Sequence, residues 1–410
     1  MTASLPNSAK QTAFWGLVLP AVAILAITMG ARQSTGLFLS PLNTSTGIGL
    51  ASLSFALAVG QFIWGASQPI FGAIADKYGS GKVIVVGSIL IALGLILTTQ
   101  VESKSGFIMA MGVLWAAGAG AGSFSVLIGA TAQHISPERR SFASGVINAG
   151  GSFGQFIFAP FVHFCMTTFG WVKAMWILAG ISLLSIPLAF PLRKRSSSRA
   201  AAAGASAEMG LKTQISIAFK DKSYWCLHAG FFTCGFHIAF LVTHLPQEIG
   251  LCGLPPSVSA AVLALIGLAN IAGSLGAGAL GNVYRMKYLL FWMYLSRAVI
   301  IVIYAISAKT TLTFYIFAIA LGMTWLATVP PTAGLVGKLF GTRYLATLFG
   351  LTLFSHQIGG FFGAWLGGLS IQHFGNYNWM WIADGVLSVA AAVINLPIKE
   401  EVVVRKIATA

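Results

Sequence analysis

Charged and titratable side chains inside apolar stretches are the first candidates for chemistry in this 410-residue chain. Arg32 ends one long apolar run, and His237, His244 and His356 lie within two others. An ionisable group in a membrane-length apolar helix is unfavourable unless it serves a function, such as binding a charged substrate or carrying a proton. His237 and His356 are the candidates for proton coupling. The structural alternatives are an interfacial anchor for Arg32 and core histidines satisfied by a neighbour.

Two pairs of amide and hydroxyl side chains have the spacing of a shared helix face. Asn148 and Gln155 are seven residues apart, and Asn270 and Ser274 are four apart. Residues separated by four or seven positions lie on the same side of a helix. We therefore expect Asn148 and Asn270, together with His237, to orient a bound substrate.

A tryptophan precedes a pair of prolines late in the chain. Trp325 is followed by Pro330 and Pro331 within one apolar run. Proline lacks a backbone donor and clashes with the preceding turn, so the pair predicts a broken helix that lines a cavity or packs on protein. Trp325 is then either a core residue or the wall that covers the apolar part of a substrate.

Acidic residues are nearly absent from the apolar runs, where Asp384 and Glu248 come closest. A pocket formed by Arg32, histidines and amides without a central carboxylate is electropositive. Its expected ligand is an anion, and a cationic drug would fit it poorly. The histidines lack the spacing of a zinc motif, so we predict no metal site and no cofactor.

The composition is that of a polytopic membrane protein. Hydrophobic residues make up 57% of the chain and charged residues 8%, with a mean hydropathy of +0.84. A net charge of +15 would suggest nucleic acid in a soluble protein, but here the basic residues lie in loops. The anionic bilayer surface and membrane topology explain them better, and we expect no nucleic-acid partner. The four cysteines are predicted to pack without a disulfide framework.

Twelve apolar runs are long enough to cross a bilayer, most of them near the ~20 residues that a helix needs. The first is interpreted as a transmembrane helix rather than a cleaved signal because more spans follow. A polar linker at 191–223 divides the chain into two six-helix bundles, at 1–190 and 224–410. The predicted spans are 14–38, 52–75, 83–100, 107–132, 142–164, 171–190, 224–247, 257–280, 288–307, 312–336, 345–370 and 378–396.

Lysine and arginine are distributed unevenly about these spans. With both termini in the cytoplasm, only Lys104, Lys173 and Lys309 of the 24 basic residues fall in loops on the opposite side. Arg32 and Arg297 lie within spans, and the rest are cytoplasmic. This asymmetry predicts a multi-pass membrane protein with both termini in the cytoplasm. The membrane that we expect is the bacterial inner membrane.

A charged, glycine-punctuated turn joins the second and third spans. It contains Gly72, Asp76, Gly79 and Lys82, and a degraded copy in the second half has Asn282 where the first has Asp76. A recurrence of this kind indicates two copies of one structural unit. Glycines let helices turn and approach closely, and an aspartate can accept hydrogen bonds at a helix end. We expect this loop to take part in a conformational change.

The chain resembles the monocarboxylate-transporter branch of the major facilitator superfamily, which includes bacterial relatives of the oxalate–formate exchanger. The resemblance covers all twelve spans. Its motifs are the loop at 72–82 and the stretch Pro137-Glu-Arg139-Arg140-Ser-Phe-Ala143-Ser-Gly145-Val-Ile-Asn148, a basic loop that leads into a helix rich in small residues.

The resemblance implies proton-linked uptake or exchange of small carboxylates. It also implies that Arg32 is the first-helix cation of the site and that Trp325 matches the tenth-helix tryptophan. His356 aligns with the exchanger's eleventh-helix lysine. Asn270 matches the first position of an eighth-helix motif, but Ser274 stands where that motif has an arginine. One fixed cation is therefore missing, and another is replaced by a titratable group.

The sequence therefore predicts a monomeric secondary transporter, not an enzyme, that moves a small mono- or dicarboxylate by alternating access. The small anion, the bilayer and protons are its predicted partners. An exporter of drugs or metabolites is the main alternative. A polytopic membrane enzyme would need a nucleophile and a base at depth, and the neighbours Ser355 and His356 point to different helix faces. A substrate-sensing receptor that does not transport is a third alternative.

Overall fold

The computed structural model describes residues 7–193 and 210–403, and within these ranges every regular element is a helix. Parts of the predicted linker at 191–223 therefore lie outside the described residues, and its boundaries stay a prediction. The first half contains α1 (Asn7–Gln33), α2 (Leu39–Thr46), α3 (Leu50–Tyr78), α4 (Ser80–Thr98), α5 (Lys104–Phe107), a π-helix (Ile108–Trp115), α6 (Ala116–Ala121), α7 (Phe124–Ala132), α8 (Pro137–Phe169), α9 (Trp171–Leu183) and α10 (Ser185–Leu188), with 3-10 turns at Thr35–Phe38 and Pro191–Arg193.

The second half repeats this pattern of long apolar helices. By length and composition, eight helical stretches among the described residues could cross a bilayer. The helices of this half are α11 (Leu211–Lys220), α12 (Lys222–Leu251), α13 (Pro256–Leu280), α14 (Met286–Ile306), α15 (Thr311–Gly322), α16 (Val329–Phe340), α17 (Leu345–Phe374) and α18 (Asn378–Asn395).

Several predicted spans differ from the helices observed. The fourth, predicted at 107–132, is broken at residues 122–123 between α6 and α7, and the sixth, predicted at 171–190, is broken between α9 and α10. The first, predicted at 14–38, ends as an α-helix at Gln33 and continues in a 3-10 turn. The tenth, predicted at 312–336, is interrupted over residues 323–328, which we call the broken segment. The break precedes the prolines, and Pro330 and Pro331 lie in the first turn of α16. Proline is tolerated there because the first turn of a helix has no intrahelical acceptors for its N–H groups.

The two halves pack mainly through two helix pairs, α3 against α17 and α8 against α13. The helices of each pair run in opposite directions, so the end of α3 at Tyr78 meets the start of α17 at Leu345. We call the side of the molecule where these ends lie the motif face, because the loop at 72–82 is there.

Glycine residues allow the two halves to approach each other closely at the motif face. A Cβ atom on Gly72 would lie 2.6 Å from the carbonyl oxygen of Ala346. A Cβ atom on Gly145 would lie 2.9 Å from the Cα atom of Gly278. Backbones approach this closely only where glycine removes the side chain. The structure is therefore closed at the motif face.

Candidate functional site

Arg32 lies in the last turn of α1, half-buried against α3. Its guanidinium carbon is 3.8 Å from the ring centroid of Trp64, and its Nη2 atom donates to the side-chain oxygen of Gln61. A guanidinium over a tryptophan face is held by a cation–π interaction and by stacking. Arg32 takes part in neither of the ion pairs His237–Asp384 and Lys338–Glu400. Its positive charge is thus positioned by aromatic and amide groups without a carboxylate.

His356 lies on α17 in the other half, within electrostatic range of Arg32 and Arg297. Its Nδ1 atom is 2.9 Å from the amide nitrogen of Gln357, which makes Nδ1 the acceptor. Its Nε2 atom is buried and has no hydrogen-bond partner among the described residues. The neighbouring Gln357 is where α17 meets α3, because a Cβ atom on Gly65 would lie 2.4 Å from its Cβ atom. The fold therefore brings the predicted residues Arg32 and His356 to the same interface.

Asn148 and Asn270 join the two halves through hydrogen bonds. The Asn148 amide donates to the Ser274 hydroxyl at 2.8 Å and to the Leu326 carbonyl at 2.7 Å. The Asn270 amide donates to the Ser152 hydroxyl, and its oxygen accepts from the Leu326 N–H at 2.9 Å. Both amides are fully buried. The two predicted residues thus meet at the α8–α13 interface and satisfy the backbone of the broken segment.

The broken segment is also held from within the second half. The Nη2 atom of Arg297 on α14 donates to the carbonyls of Thr324, at 2.6 Å, and Trp325, at 3.1 Å. Trp325 and Arg297 are both fully buried. A break in a membrane helix leaves carbonyls without intrahelical partners, and a buried guanidinium can satisfy several of them. Arg297 therefore stabilises the break, and Trp325 packs as a core residue.

His237 pairs with Asp384, a contact that the sequence analysis did not predict. The Nδ1 atom of His237 on α12 bonds to a carboxylate oxygen of Asp384 on α18, and both side chains are 0% exposed. The His237 ring centroid lies 5.8 Å from that of Trp325. The fold thus places His237 behind the broken segment. The sequence held one clue to this pair, because a single acidic residue within an apolar helix implies a buried partner.

His244, two turns along α12, is satisfied locally. Its Nε2 atom is 2.7 Å from the Ala364 carbonyl, and its Nδ1 atom is 3.3 Å from the Tyr377 hydroxyl. The ring is thus held between α12 and α17. It matches the structural alternative that the sequence left open for a buried histidine.

Asp76 connects the end of α3 to the start of α17. One carboxylate oxygen accepts from the Thr347 N–H at 3.0 Å and from its hydroxyl at 2.7 Å. Thr347 lies in the first turn of α17, where the free N–H groups and the helix dipole favour a negative charge. Gly79, which follows α3, has φ +96°, a conformation that favours glycine. Lys82 is exposed on α4.

The degraded loop of the second half has a different ionic partner, which sequence reasoning missed. Glu400 accepts from the Lys287 backbone N–H at 3.0 Å and pairs with the Lys338 ammonium at 2.8 Å. Asn282 itself is exposed in the turn after α13. Glu400 follows the last helix, and no motif spacing links it to this loop.

The described part of the chain contains no cluster of metal-ligating or redox-active side chains. No group of three or more His, Cys, Asp or Glu side chains there could hold a metal ion. The cysteines Cys165, Cys226, Cys234 and Cys252 are all free thiols.

Membrane transporters commonly have two packed halves, a broken helix and ionisable side chains between the halves, and this structure has all three features. The family model of the Major Facilitator Superfamily matches residues 21–364. The chain therefore belongs to the Major Facilitator Superfamily, and it is a multi-pass membrane transporter rather than an enzyme. The predicted family and fold class are confirmed.

Relatives of this chain include a monocarboxylate transporter and an oxalate:formate antiporter. The chain is 26% identical over 392 residues to monocarboxylate transporter 13 of Rattus norvegicus, a match that covers 93% of this chain and 89% of the relative. It is 24% identical over 390 residues to the oxalate:formate antiporter of Oxalobacter formigenes, covering 92% and 89%.

Solved structures share the fold at low sequence identity. The proton:xylose symporter XylE, solved with 6-bromo-6-deoxy-D-glucose, has a TM-score of 0.76 at 14% identity, covering 97% of this chain and 99% of that one. The E. coli fucose:proton symporter FucP has a TM-score of 0.71 at 15% identity, covering 92% and 97%.

Proposed function

We propose that this protein is a secondary active transporter of a small organic anion, a mono- or dicarboxylate, driven by a proton gradient through alternating access. Relatives named as monocarboxylate transporters and an oxalate:formate antiporter support this substrate class. We further propose that it acts as a monomer in the inner membrane of a bacterium.

The observation that carries the proposal is the environment of Arg32. A half-buried guanidinium in the last turn of a membrane-length helix requires compensation, and Trp64 and Gln61 provide contacts without negative charge. A substrate carboxylate would supply the missing charge and can bind a guanidinium through two parallel hydrogen bonds. His356, from the other half, has a free Nε2 atom close to the same interface. A substrate bound between them would contact both halves, as alternating access requires.

The remaining predicted residues have roles that follow from their contacts. Asn148 and Asn270 would align the substrate with the two halves by setting the α8–α13 contact. Trp325 would provide the apolar backing behind the site. His237 and His356 are the side chains proposed to couple substrate movement to protons.

The motif face is proposed to be cytoplasmic, since the basic residues are concentrated in its loops. Asp76 and the close contact of Gly72 with α17 hold this face closed, so the structure would then be outward-facing. Transport would require the Asp76–Thr347 contact to break while the outer ends of the helices come together.

Counterflow in proteoliposomes tests the proposal. Vesicles are loaded with unlabelled lactate and diluted into radiolabelled lactate, with acetate, oxalate, benzoate or tetraphenylphosphonium as external competitor. We expect carboxylates to reduce uptake in proportion to their affinity and the lipophilic cation to have no effect. Inhibition by tetraphenylphosphonium, with carboxylates inert, would instead indicate the exporter. Empty vesicles and vesicles with Arg32→Gln protein provide the background.

A further inference from the structure

A buried ionic cluster in the second half, apart from Arg32, has no role in the proposed substrate site. His237 and Asp384 pair at 0% exposure on α12 and α18, and Arg297 on α14 lies within electrostatic range of His237. Burying charges in a membrane helix bundle is unfavourable, and hydrophobic residues of similar size would serve packing as well. Arg297 holds the carbonyls of the broken segment, but the His237–Asp384 pair calls for a function beyond stability.

The charge balance of this cluster leaves room for one proton. Asp384 and Arg297 together are neutral while His237 is uncharged. The Nδ1 atom of His237 bonds to Asp384, and its Nε2 atom is buried without a partner among the described residues. A proton added at Nε2 would give an imidazolium held by the carboxylate, and the cluster would then carry one net positive charge.

The other ionisable groups around His237 are few. Tyr294 on α14 interacts with Cys234, which lies one turn before His237 on α12. His356 on α17, which we assign to the substrate site, lies within electrostatic range of Arg297. Asp384 is therefore the only carboxylate that interacts with His237 among the described residues.

The broken segment connects this cluster to the contact between the two halves. Arg297 donates to the carbonyls of Thr324 and Trp325, and the ring of Trp325 packs 5.8 Å from His237. The carbonyl of the next residue, Leu326, accepts a hydrogen bond of 2.7 Å from the side-chain amide of Asn148, which belongs to the first half. Any displacement of Arg297 relative to Asp384 would therefore move the Leu326 carbonyl, to which Asn148 of the first half is hydrogen-bonded.

We propose that the His237–Asp384 pair is the binding site of the transported proton and that the broken segment transmits its occupancy to the α8–α13 interface. This inference rests on the proposed function. It assigns the proton to a site separated from the substrate by Trp325, with Asp384 as its counter-ion. A substrate anion near Arg32 would balance the positive charge that the bound proton adds, so anion and proton favour each other's binding.

Accumulation against a concentration gradient separates coupling from substrate movement. Proteoliposomes carrying wild type, Asp384→Asn or His237→Gln are assayed for lactate counterflow at equal pH and for net lactate uptake under an inward gradient of one pH unit. One proton per monovalent carboxylate supports about tenfold accumulation across such a gradient. His244→Gln is the matched control, since His244 lies on the same helix and is satisfied by Ala364 and Tyr377.

We expect wild type and His244→Gln to accumulate lactate, and Asp384→Asn and His237→Gln to retain counterflow but to lose accumulation. Accumulation by both variants at the wild-type level would overturn the proton assignment while leaving the carboxylate transporter intact. A wild type without carboxylate counterflow would refute the proposed function itself. Should both single variants lack counterflow, the double variant His237→Gln/Asp384→Asn replaces the pair by two amides that can hydrogen-bond to each other, and its failure as well would overturn a role confined to coupling.

Discussion

Neutralising Asp76 should open the motif face. The carboxylate accepts from the backbone N–H and the hydroxyl of Thr347 and is 1% exposed. Hydrogen bonds to a charged group contribute about 1.5–3 kcal/mol each, against about 0.5–1.5 for neutral ones. Asp76→Asn keeps the shape but converts both bonds to neutral ones, a loss of about 2 kcal/mol. That loss shifts the balance between closed and open motif faces by about 30-fold.

Hydrogen–deuterium exchange measures this shift on the unlabelled protein. We expect amides in the first turn of α17, including Thr347, to exchange at least about tenfold faster in Asp76→Asn. Peptides around Gly145 and Gly278 should follow, because they belong to the same closed face. Glu138→Gln is the control, since Glu138 is an exposed carboxylate in the first turn of α8. Equal exchange in wild type and Asp76→Asn would refute the latch.

Two further substitutions test the packing and the broken segment. Gly72→Val should abolish transport while the protein still folds, because any Cβ atom at position 72 would meet Ala346. Gly276→Ala should transport normally, because a Cβ atom at position 276 meets open space. Uptake measures the transport of both variants, and size-exclusion chromatography measures their folding. Arg297→Gln should destabilise the protein by about 3 kcal/mol, because the buried carbonyls of Thr324 and Trp325 lose their donor. Thermal unfolding should detect this loss and should show no change for the exposed Arg285→Gln.

Apolar run length was enough to predict most of the fold. A bilayer demands helices of nearly fixed length, so hydropathy places helices such as α3, α8 and α17 to within a few residues. The recurrence of the loop at 72–82 indicated the duplication. The position of the break in the tenth span was less predictable. Prolines mark where a helix can start, but the carbonyls before them are held by Arg297 from another helix.

The candidate site was predictable by residue type and less so by partner. An unusual side chain in an apolar run is visible in the sequence, as Arg32, His237 and His356 were. Its partner is not, because pairs such as His237 with Asp384 lie far apart in the chain and meet only through helix packing. The partner nevertheless decides the chemistry. A histidine beside a carboxylate can hold a proton as a neutral pair, whereas a histidine facing Arg32 adds to a site for an anion.

Direct binding of carboxylates to purified protein tests the central claim, that Arg32 provides the positive charge for an anionic substrate. Thermal unfolding of wild type, Arg32→Gln and Lys104→Gln, an exposed cation as control, is measured against a panel of mono-, di- and aromatic carboxylates. We predict that at least one carboxylate raises the melting temperature of wild type and Lys104→Gln with its concentration. Arg32→Gln should need at least about tenfold more ligand for the same shift. Equal shifts in wild type and Arg32→Gln, or no shift with any carboxylate, would contradict the account.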